Sequence, residues 1–563
     1  MSKRAGWALT IAALATFLLL NRAAYKGYFQ DDDLDTLGWA RTLPASEFLK
    51  YLATPRLSPT NFRPVGAFYY HALEAGFGLD FSKYVAVLHG LHFLNIWLVW
   101  LVARKLGIGP VGAAAGAFFF GFHAALTDAW WKPMYVFDIL CATFCLLTVL
   151  LYVRDRWILS LISFWLAYKS KELAVMLPAV LACYEVWIGQ RRWKRLVPFF
   201  AVSLLFGIQA AILPVHRGTR YEMQLGLKSL ATTIRFYSSQ LFLLPYAGLL
   251  LLALPFFVRD RRLWLGLAAM LLLLIPLLLL PGRLYAVYWY VPLIGVAVLV
   301  ASLADGHYRW AAMLFLVLWI PWDFVHFREL RRTNQRLEQQ NRAYVGAIQK
   351  FARLNPGERV FVYDALPEGF HAWGVTGALK SVYRSPEITI QHVDQPGAEE
   401  LVQKGGAAWL HWDRRVGRLD IVHHPPSEPP LPYLHMDVNA PTRQLLDGWY
   451  KPDNPDYDSR WTQPDATASL LRPEGARHFE VAACVAPEQV QRFRTVTLRV
   501  VLEEQPLGQH VFTAPGCETL EWPAPPVPAG QVKIEFHVAP PYPAPKPDPR
   551  ILGITMKGFG FIP

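Results

Sequence analysis

Four carboxylates crowd into five positions at Asp31-Asp32-Asp33-Leu34-Asp35, soon after the apolar stretch at the start of the chain. Like charges this close repel, so the cluster costs stability unless a cation, water or a polar ligand meets it. Two readings compete: a solvated acidic loop that caps the next helix, or a set of general bases and ligand contacts. A second acidic stretch runs His123-Ala124-Ala125-Leu126-Thr127-Asp128-Ala129-Trp130-Trp131-Lys132, with Asp138 following inside an apolar run. Asp128 can serve as a helix cap alone, but a carboxylate at 138 is unfavourable without a partner or a task. Cations come from Arg63, Lys169, Lys171 and Arg283, and Glu172 is placed to pair locally with Lys171. His89 and His92 share one helical face, as ligands or as satisfied polar groups. Two histidines alone are weak evidence for zinc.

The elements that hold these residues are apolar. Runs of about 12–23 residues recur at 6–21, 84–103, 110–127, 134–153, 157–168, 172–188, 196–213, 236–258, 263–280, 285–303 and 309–325. A hydrocarbon core takes about 20 helical residues, so the shorter runs must borrow flanking ones. With Lys3 and Arg4 in the cytoplasm, alternation puts Arg104-Lys105, Arg154-Asp155-Arg156, Arg191 to Arg195 and Arg259 to Arg262 inside as well. Each obeys the positive-inside rule. Asn21-Arg22-Ala23 is a poor cleavage site, so the first run reads as an uncleaved helix. About eleven spans then leave the C-terminal region outside. The segment 22–83, the 128–133 connection, the 169–171 turn, the loop near 214–235 and Pro281-Gly282-Arg283 share that external face, where chemistry is expected.

Composition agrees with a two-part protein. The 563 residues are 53% hydrophobic and 17% charged, but the apolar runs stop near 325. The net charge of +12 lies largely in short clusters between runs, without the basic stripe or motif of a nucleic-acid binder. The expected organisation is an α-helical polytopic membrane domain over 1–325, a helical linker over 326–354, a small α/β unit over 355–439 and a β-sandwich over 440–563. Alternation in Val496-Thr497-Leu498-Arg499-Val500-Val501-Leu502 and in Val532-Lys533-Ile534-Glu535-Phe536-His537-Val538 carries the last of these. Trp449, Tyr450 and Trp461 either stack on sugar or pack in its core. Cys484 and Cys517 lie in the external region and can form a disulfide there, while Cys141, Cys145 and Cys183 read as apolar fillers.

In their order, these motifs resemble the GT-C superfamily of polytopic glycosyltransferases, in particular its protein O-mannosyltransferase-like branch. Asp32-Asp33 is similar to the paired acid of the first external loop. Arg63-Pro64, Phe77-Gly78-Leu79 and His89 to Asn95 resemble the family's stretch leading into the second helix. His123 to Asp128, with Asp138 ten residues on, resembles the second-loop pattern, with Ala124 where the family has proline and Asp128 where it has glutamate. Ser170-Lys171-Glu172 with Pro178, and Arg283-Leu284-Tyr285 with Tyr290-Val291-Pro292, complete the likeness over residues 6–303.

The resemblance implies a polyprenyl-phosphate sugar as donor, an acceptor hydroxyl, and inversion at the anomeric carbon. Asp32, Asp33 and Asp128 are then the catalytic candidates. Arg63, His89, His123, Lys132, Asp138, Lys171, Glu172, Arg283 and Tyr285 are the substrate-binding ones. Asp32 or Asp33 would accept the hydroxyl proton, and Arg63, Lys171 or Arg283 would steady the departing phosphate. Adjacent carboxylates also suit a divalent metal, which the sequence leaves open. It names neither the sugar nor the acceptor. The expected place is the cytoplasmic (inner) membrane, with the N-terminus inside. Two other classes compete: a flippase or transporter of lipid-linked sugar, which predicts repeats or broken helices, and a non-catalytic membrane scaffold whose sandwich binds glycan.

Overall fold

A computed structural model describes residues 3–55, 62–212, 222–414, 416–423, 430–437, 444–450, 458–545 and 548–563. Asn61, the connection 214–221 and the expected boundary at 439–440 lie outside the described residues, as do the side chains of Lys3 and Arg4. The chain divides into two compact units, Met1–His424 and Pro425–Pro563.

In the first unit every apolar run is helical, but the count of eleven spans is not reached by length. Among the described residues four helices are long and apolar enough to cross a bilayer: Phe81–Lys105, Pro133–Val153, Arg261–Leu278 and Arg309–Leu354. Two further pairs, Pro110–Phe122 with Ala124–Trp131 and Leu227–Phe242 with Ala247–Phe257, are bent by 50° and 89°, giving up to six. Hydropathy sums over these breaks without seeing them. His123 leaves the helical backbone for an extended one, and Leu243 and Tyr246 take left-handed conformations with φ of 58° and 57°. Leu293–Asp305, an apolar helix of 13 residues, is too short to cross alone.

The basic connections gather at one end of this unit. Asp155 pairs with Arg192 and Arg195. Arg262 binds Asp305 at 3.0 Å and the Gly107 carbonyl at 3.1 Å, and Arg261 reaches the Trp187 carbonyl at 3.4 Å. Asp138 and Arg154 mark opposite ends of the helix Val136–Val153, about 24 Å apart at 1.5 Å per residue. The candidate residues therefore lie at the far end from the basic clusters.

The segment read as a linker is the distal part of one helix, Arg309–Leu354, of 46 residues. That helix leads into a four-stranded sheet ordered Thr389–His392, Val360–Tyr363, Ala408–Asp413, Arg418–Val422. The first three strands are parallel and the last is antiparallel. This α/β layer belongs to the same compact unit as the apolar helices. Its helix Ala372–Tyr383 lies on the acidic helix Asp31–Ala40 at backbone distance. A side chain at Gly38 would meet the Gly377 backbone at 2.8 Å, and one at Gly377 would meet the Leu34 carbonyl oxygen at 2.2 Å. Only glycine permits that approach.

The second unit is a β-sandwich. Its strands run Gln505–Phe512, Val496–Leu502, Gly530–Ala539, Arg460–Arg472, Thr555–Ile562, His478–Val485, Gly516–Pro523. The 13-residue strand Arg460–Arg472 pairs with Thr555–Ile562 near its start and with Gly530–Ala539 farther on. Pro464 lies between the two pairings, where a missing N–H is tolerated. The alternation in Val496–Leu502 and Gly530–Ala539 faces the core as expected. Cys484 and Cys517 stand opposite one another and are disulfide-bonded. Trp449, partly buried, packs against the core through Phe536 and Phe559 at 5.7 and 5.3 Å and donates to the Thr467 carbonyl. Tyr450 donates to the Ile551 carbonyl at 3.0 Å.

Candidate active site

The acidic helix separates its carboxylates instead of massing them. Gln30 caps its start, and the Gln30 N–H donates to Asp33 Oδ2 at 2.9 Å. Acids in a first helical turn face the positive end of the macrodipole, which offsets part of their repulsion. Asp31 turns to the α/β layer, accepting the His371 N–H at 3.0 Å and meeting His371 Nδ1 at 2.5 Å. Asp33 is 0% exposed and accepts the Tyr70 hydroxyl at 2.6 Å. Asp32 alone of these three is exposed.

These environments give the two expected bases different properties. Burial pushes Asp33 up to about 7, against the hydrogen bonds from Gln30 and Tyr70 and the charge of Lys132, with Asp32 pushing the same way as burial. Burial also raises Asp31, although His371 pulls it back. Asp33 is thus a held carboxyl, part protonated near neutrality. Asp32 is the carboxylate that a ligand can reach.

The second acid faces the same region. Asp128, on the short helix Thr127–Trp131, pairs with Lys132 at 3.1 Å, and the Lys132 charge acts on Asp33. Asp32 and Asp128 do not point to opposite ends of the molecule.

Beside them the cations converge. Arg63 Nε and Nη2 donate to Glu172 at 3.0 and 2.9 Å, the planar fork matching the carboxylate. Lys171 Nζ donates to both oxygens of Asp138 at 2.7 Å, and Asp138 is 1% exposed. The expected Lys171–Glu172 pair gives way to these two longer-range pairs. Tyr288 joins the group: Lys171 Nζ lies 4.4 Å from its ring centre, and Arg283 Nη2 donates to its hydroxyl at 2.7 Å. The Arg283 guanidinium also covers Tyr285 at 5.1 Å. Tyr135 lies within electrostatic reach of Asp128, Asp138, Tyr285 and Tyr288, tying the acidic and cationic halves together. Helix Pro64–Phe77 makes the same link, since Arg63 caps its start and Tyr70 holds Asp33. Seven residues separate them, about 10 Å of helix.

The histidines fall elsewhere. His89 Nδ1 meets the Tyr25 hydroxyl at 2.9 Å, and His92 lies between the Tyr290 hydroxyl at 2.7 Å and the Gly121 carbonyl at 3.0 Å. His123 accepts the Ala125 N–H on Nδ1 and donates from Nε2 to the Leu241 carbonyl at 2.7 Å, so both ring nitrogens pin the 50° bend. His89 and His123 are buried within the protein rather than set among the charged groups. Among the described residues no group of three or more His, Cys, Asp or Glu is placed to hold a metal ion. A cleft of about 340 Å³ in this unit lies by Tyr28 and Arg342 and shares no residue with the cation cluster.

Sequence reasoning missed Tyr70, Tyr288 and His371, since none stands in a charged motif. The small-residue pair Gly374 and Gly377 was the available sign that the helix Ala372–Tyr383 lies against another backbone.

No protein-family model matches the chain, and no curated protein is similar to it. Among the solved structures similar to the chain are three at low identity. The arabinofuranosyltransferase AftD from Mycobacteria is 11% identical with a TM-score of 0.41, covering 99% of this chain and 58% of its own. ArnT from Cupriavidus metallidurans, bound to undecaprenyl phosphate, is 14% identical with a TM-score of 0.45, covering 72% and 93%. The arabinosyltransferase EmbB from Mycobacterium smegmatis is 12% identical with a TM-score of 0.33, covering 98% and 64%. The chain thus spans less than two thirds of AftD and of EmbB. All three TM-scores lie below 0.5, and none of these likenesses singles out the protein O-mannosyltransferase branch.

Proposed function

We propose that this chain is a membrane glycosyltransferase of the GT-C type, moving a sugar from a polyprenyl-phosphate donor to an acceptor hydroxyl on the extracytoplasmic face. The reading rests on the site's chemistry and on the motifs above. Its main support is the convergence of Arg63, Lys171 and Arg283 with Tyr288, together with the exposed carboxylate of Asp32. Guanidinium and ammonium donors gathered in one place suit the oxygens of a phosphate.

In this mechanism Asp32 takes the proton of the acceptor hydroxyl as its oxygen attacks the anomeric carbon. The bond to the lipid phosphate breaks, its electron pair stays on the phosphate, and the configuration inverts. Arg63, Lys171 and Arg283 meet the growing negative charge, while Glu172 and Asp138 hold two of them in place. Asp33, buried and bonded to Tyr70, positions Asp32 rather than acting as the base itself.

Asp32→Asn in proteoliposomes with labelled polyprenyl-phosphate sugars should lower transfer about 10²-fold or more, with unfolding unchanged because the side chain is exposed. Retained turnover removes the base assignment. The two bent helix pairs favour a second reading, a transporter of lipid-linked sugar. It predicts movement of the labelled lipid across the bilayer with no transfer product.

A further inference from the structure

The cleft near Tyr28 is built from three elements: the segment leading into the acidic helix, the start of helix Phe81–Lys105 and the distal part of helix Arg309–Leu354. Its volume is about 340 Å³. Tyr25, Tyr28 and Phe81 supply ring faces, and Ser82, Gln349 and Arg342 supply polar groups. Aromatic rings together with hydrogen-bonding groups suit a pyranose better than an acyl tail.

Charge narrows the class further. Arg342 lies 5.6 Å from the Tyr28 ring centre, and its Nη2 donates to the carbonyls of Lys26 and Gly27 at 3.0 and 2.6 Å. Lys26 and Lys83 are exposed beside it. Asp80, the one acid lining the cleft, accepts the N–H and hydroxyl of Ser82 on Oδ1 at 3.2 and 2.6 Å. Against that single acid stand Arg342, Lys26 and Lys83, so the balance is cationic.

A second observation comes from Glu338, which is 2% exposed and has no hydrogen-bond donor on either carboxylate oxygen among the described residues. A buried acceptor without a donor is unfavourable. Its Oε2 lies 2.6 Å from where a side chain at Gly27 would begin, and the Phe81 ring lies 2.9 Å from the same point. Glu338 also lies within the field of Lys132, Asp128, Asp33 and Arg342. It stands between the cleft and the candidate catalytic acids, one helical turn from Arg342.

We propose that this cleft is the acceptor site and takes an anionic saccharide. Arg342 receives its acid group and the aromatic wall covers a sugar face, with Glu338 buried behind that wall. Its role as acceptor site rests on the transferase reading; the binding itself does not.

The test measures binding of trigalacturonate, with neutral maltotriose as comparator, to the purified full chain in a neutral detergent. Saturable binding of the acidic trimer is expected, about tenfold or more tighter than the neutral one. Gly346 lines the cleft, and a Cβ there meets no atom within 4 Å, so Gly346→Trp sends its side chain into open space at the cleft. Gly346→Trp and Arg342→Gln should each weaken binding about tenfold or more, with unfolding midpoints confirming the fold. No saturable binding, or equal binding to Gly346→Trp, overturns the proposal. Displacement by phosphatidylglycerol doped into the micelle also overturns it, assigning the cleft to a lipid headgroup. Because binding is read without turnover, an inactive chain that still binds the trimer refutes the transferase reading alone.

Discussion

Replacing Tyr70 with phenylalanine separates the roles of the two adjacent aspartates. The Tyr70 hydroxyl donates to Asp33 Oδ1 at 2.6 Å in a fully buried setting, and among the described residues the Gln30 N–H at 2.9 Å is the donor that remains once it is gone. A hydrogen bond to a charged group contributes about 1.5–3 kcal/mol. At roughly 1.4 kcal/mol for each pH unit, the Asp33 midpoint should climb by about one to two units. Asp33 starts from about 7, above its ordinary value of 3.8, because burial penalises the ionised form. Between those values the folded chain keeps a proton that the unfolded chain has released. The stabilisation is therefore whole at acid pH and is lost as pH rises through about 7. In Tyr70→Phe the loss should continue to about pH 8–9. Unfolding midpoints of the full chain in detergent, taken across this range, read the effect, with Asp33→Asn as the variant that cannot titrate. If wild type and Tyr70→Phe differ by a constant offset at every pH, Asp33 does not titrate there and the reasoning fails.

Lys171→Met strands Asp138, which is 1% exposed, without its cation. Breaking a buried pair this way costs about 3–5 kcal/mol, so the unfolding midpoint should fall sharply and recover in Lys171→Met/Asp138→Leu, while transfer stays lost in both. Gly377→Leu drives a side chain into the Leu34 carbonyl, whose oxygen lies 2.2 Å from the new carbon. Backbone cannot yield as a side chain does, so a cost of about 1–3 kcal/mol or more is expected. Faster amide exchange over Asp31–Ala40 should accompany it, and unchanged exchange there argues against the docking.

Much of the site was legible because charge in an apolar chain has few bland explanations. Asp138, Lys171, Arg63 and Arg283 stood out by type and place alone, and all four meet in one cluster. Local spacing misled at Lys171-Glu172, since neighbours in sequence point apart where the helix Trp157–Ser170 ends and Lys171 takes an extended backbone. His123 misled in the opposite way. A histidine beside an acidic motif reads as a ligand contact, yet a helix bent by 50° frees backbone groups that its ring satisfies.

Composition and alternation by themselves determined the two-part architecture, the location of the helices, the clustering of basic connections and the strands of the sandwich. These follow from burial, whose period is written locally in the chain. Tertiary structure alone decided which of Asp31, Asp32 and Asp33 stays exposed, which carboxylate each cation holds, and that the α/β layer rests on the acidic helix through Gly38 and Gly377. Those outcomes depend on partners hundreds of residues away, and desolvation acts on a carboxylate only after its neighbours have closed around it.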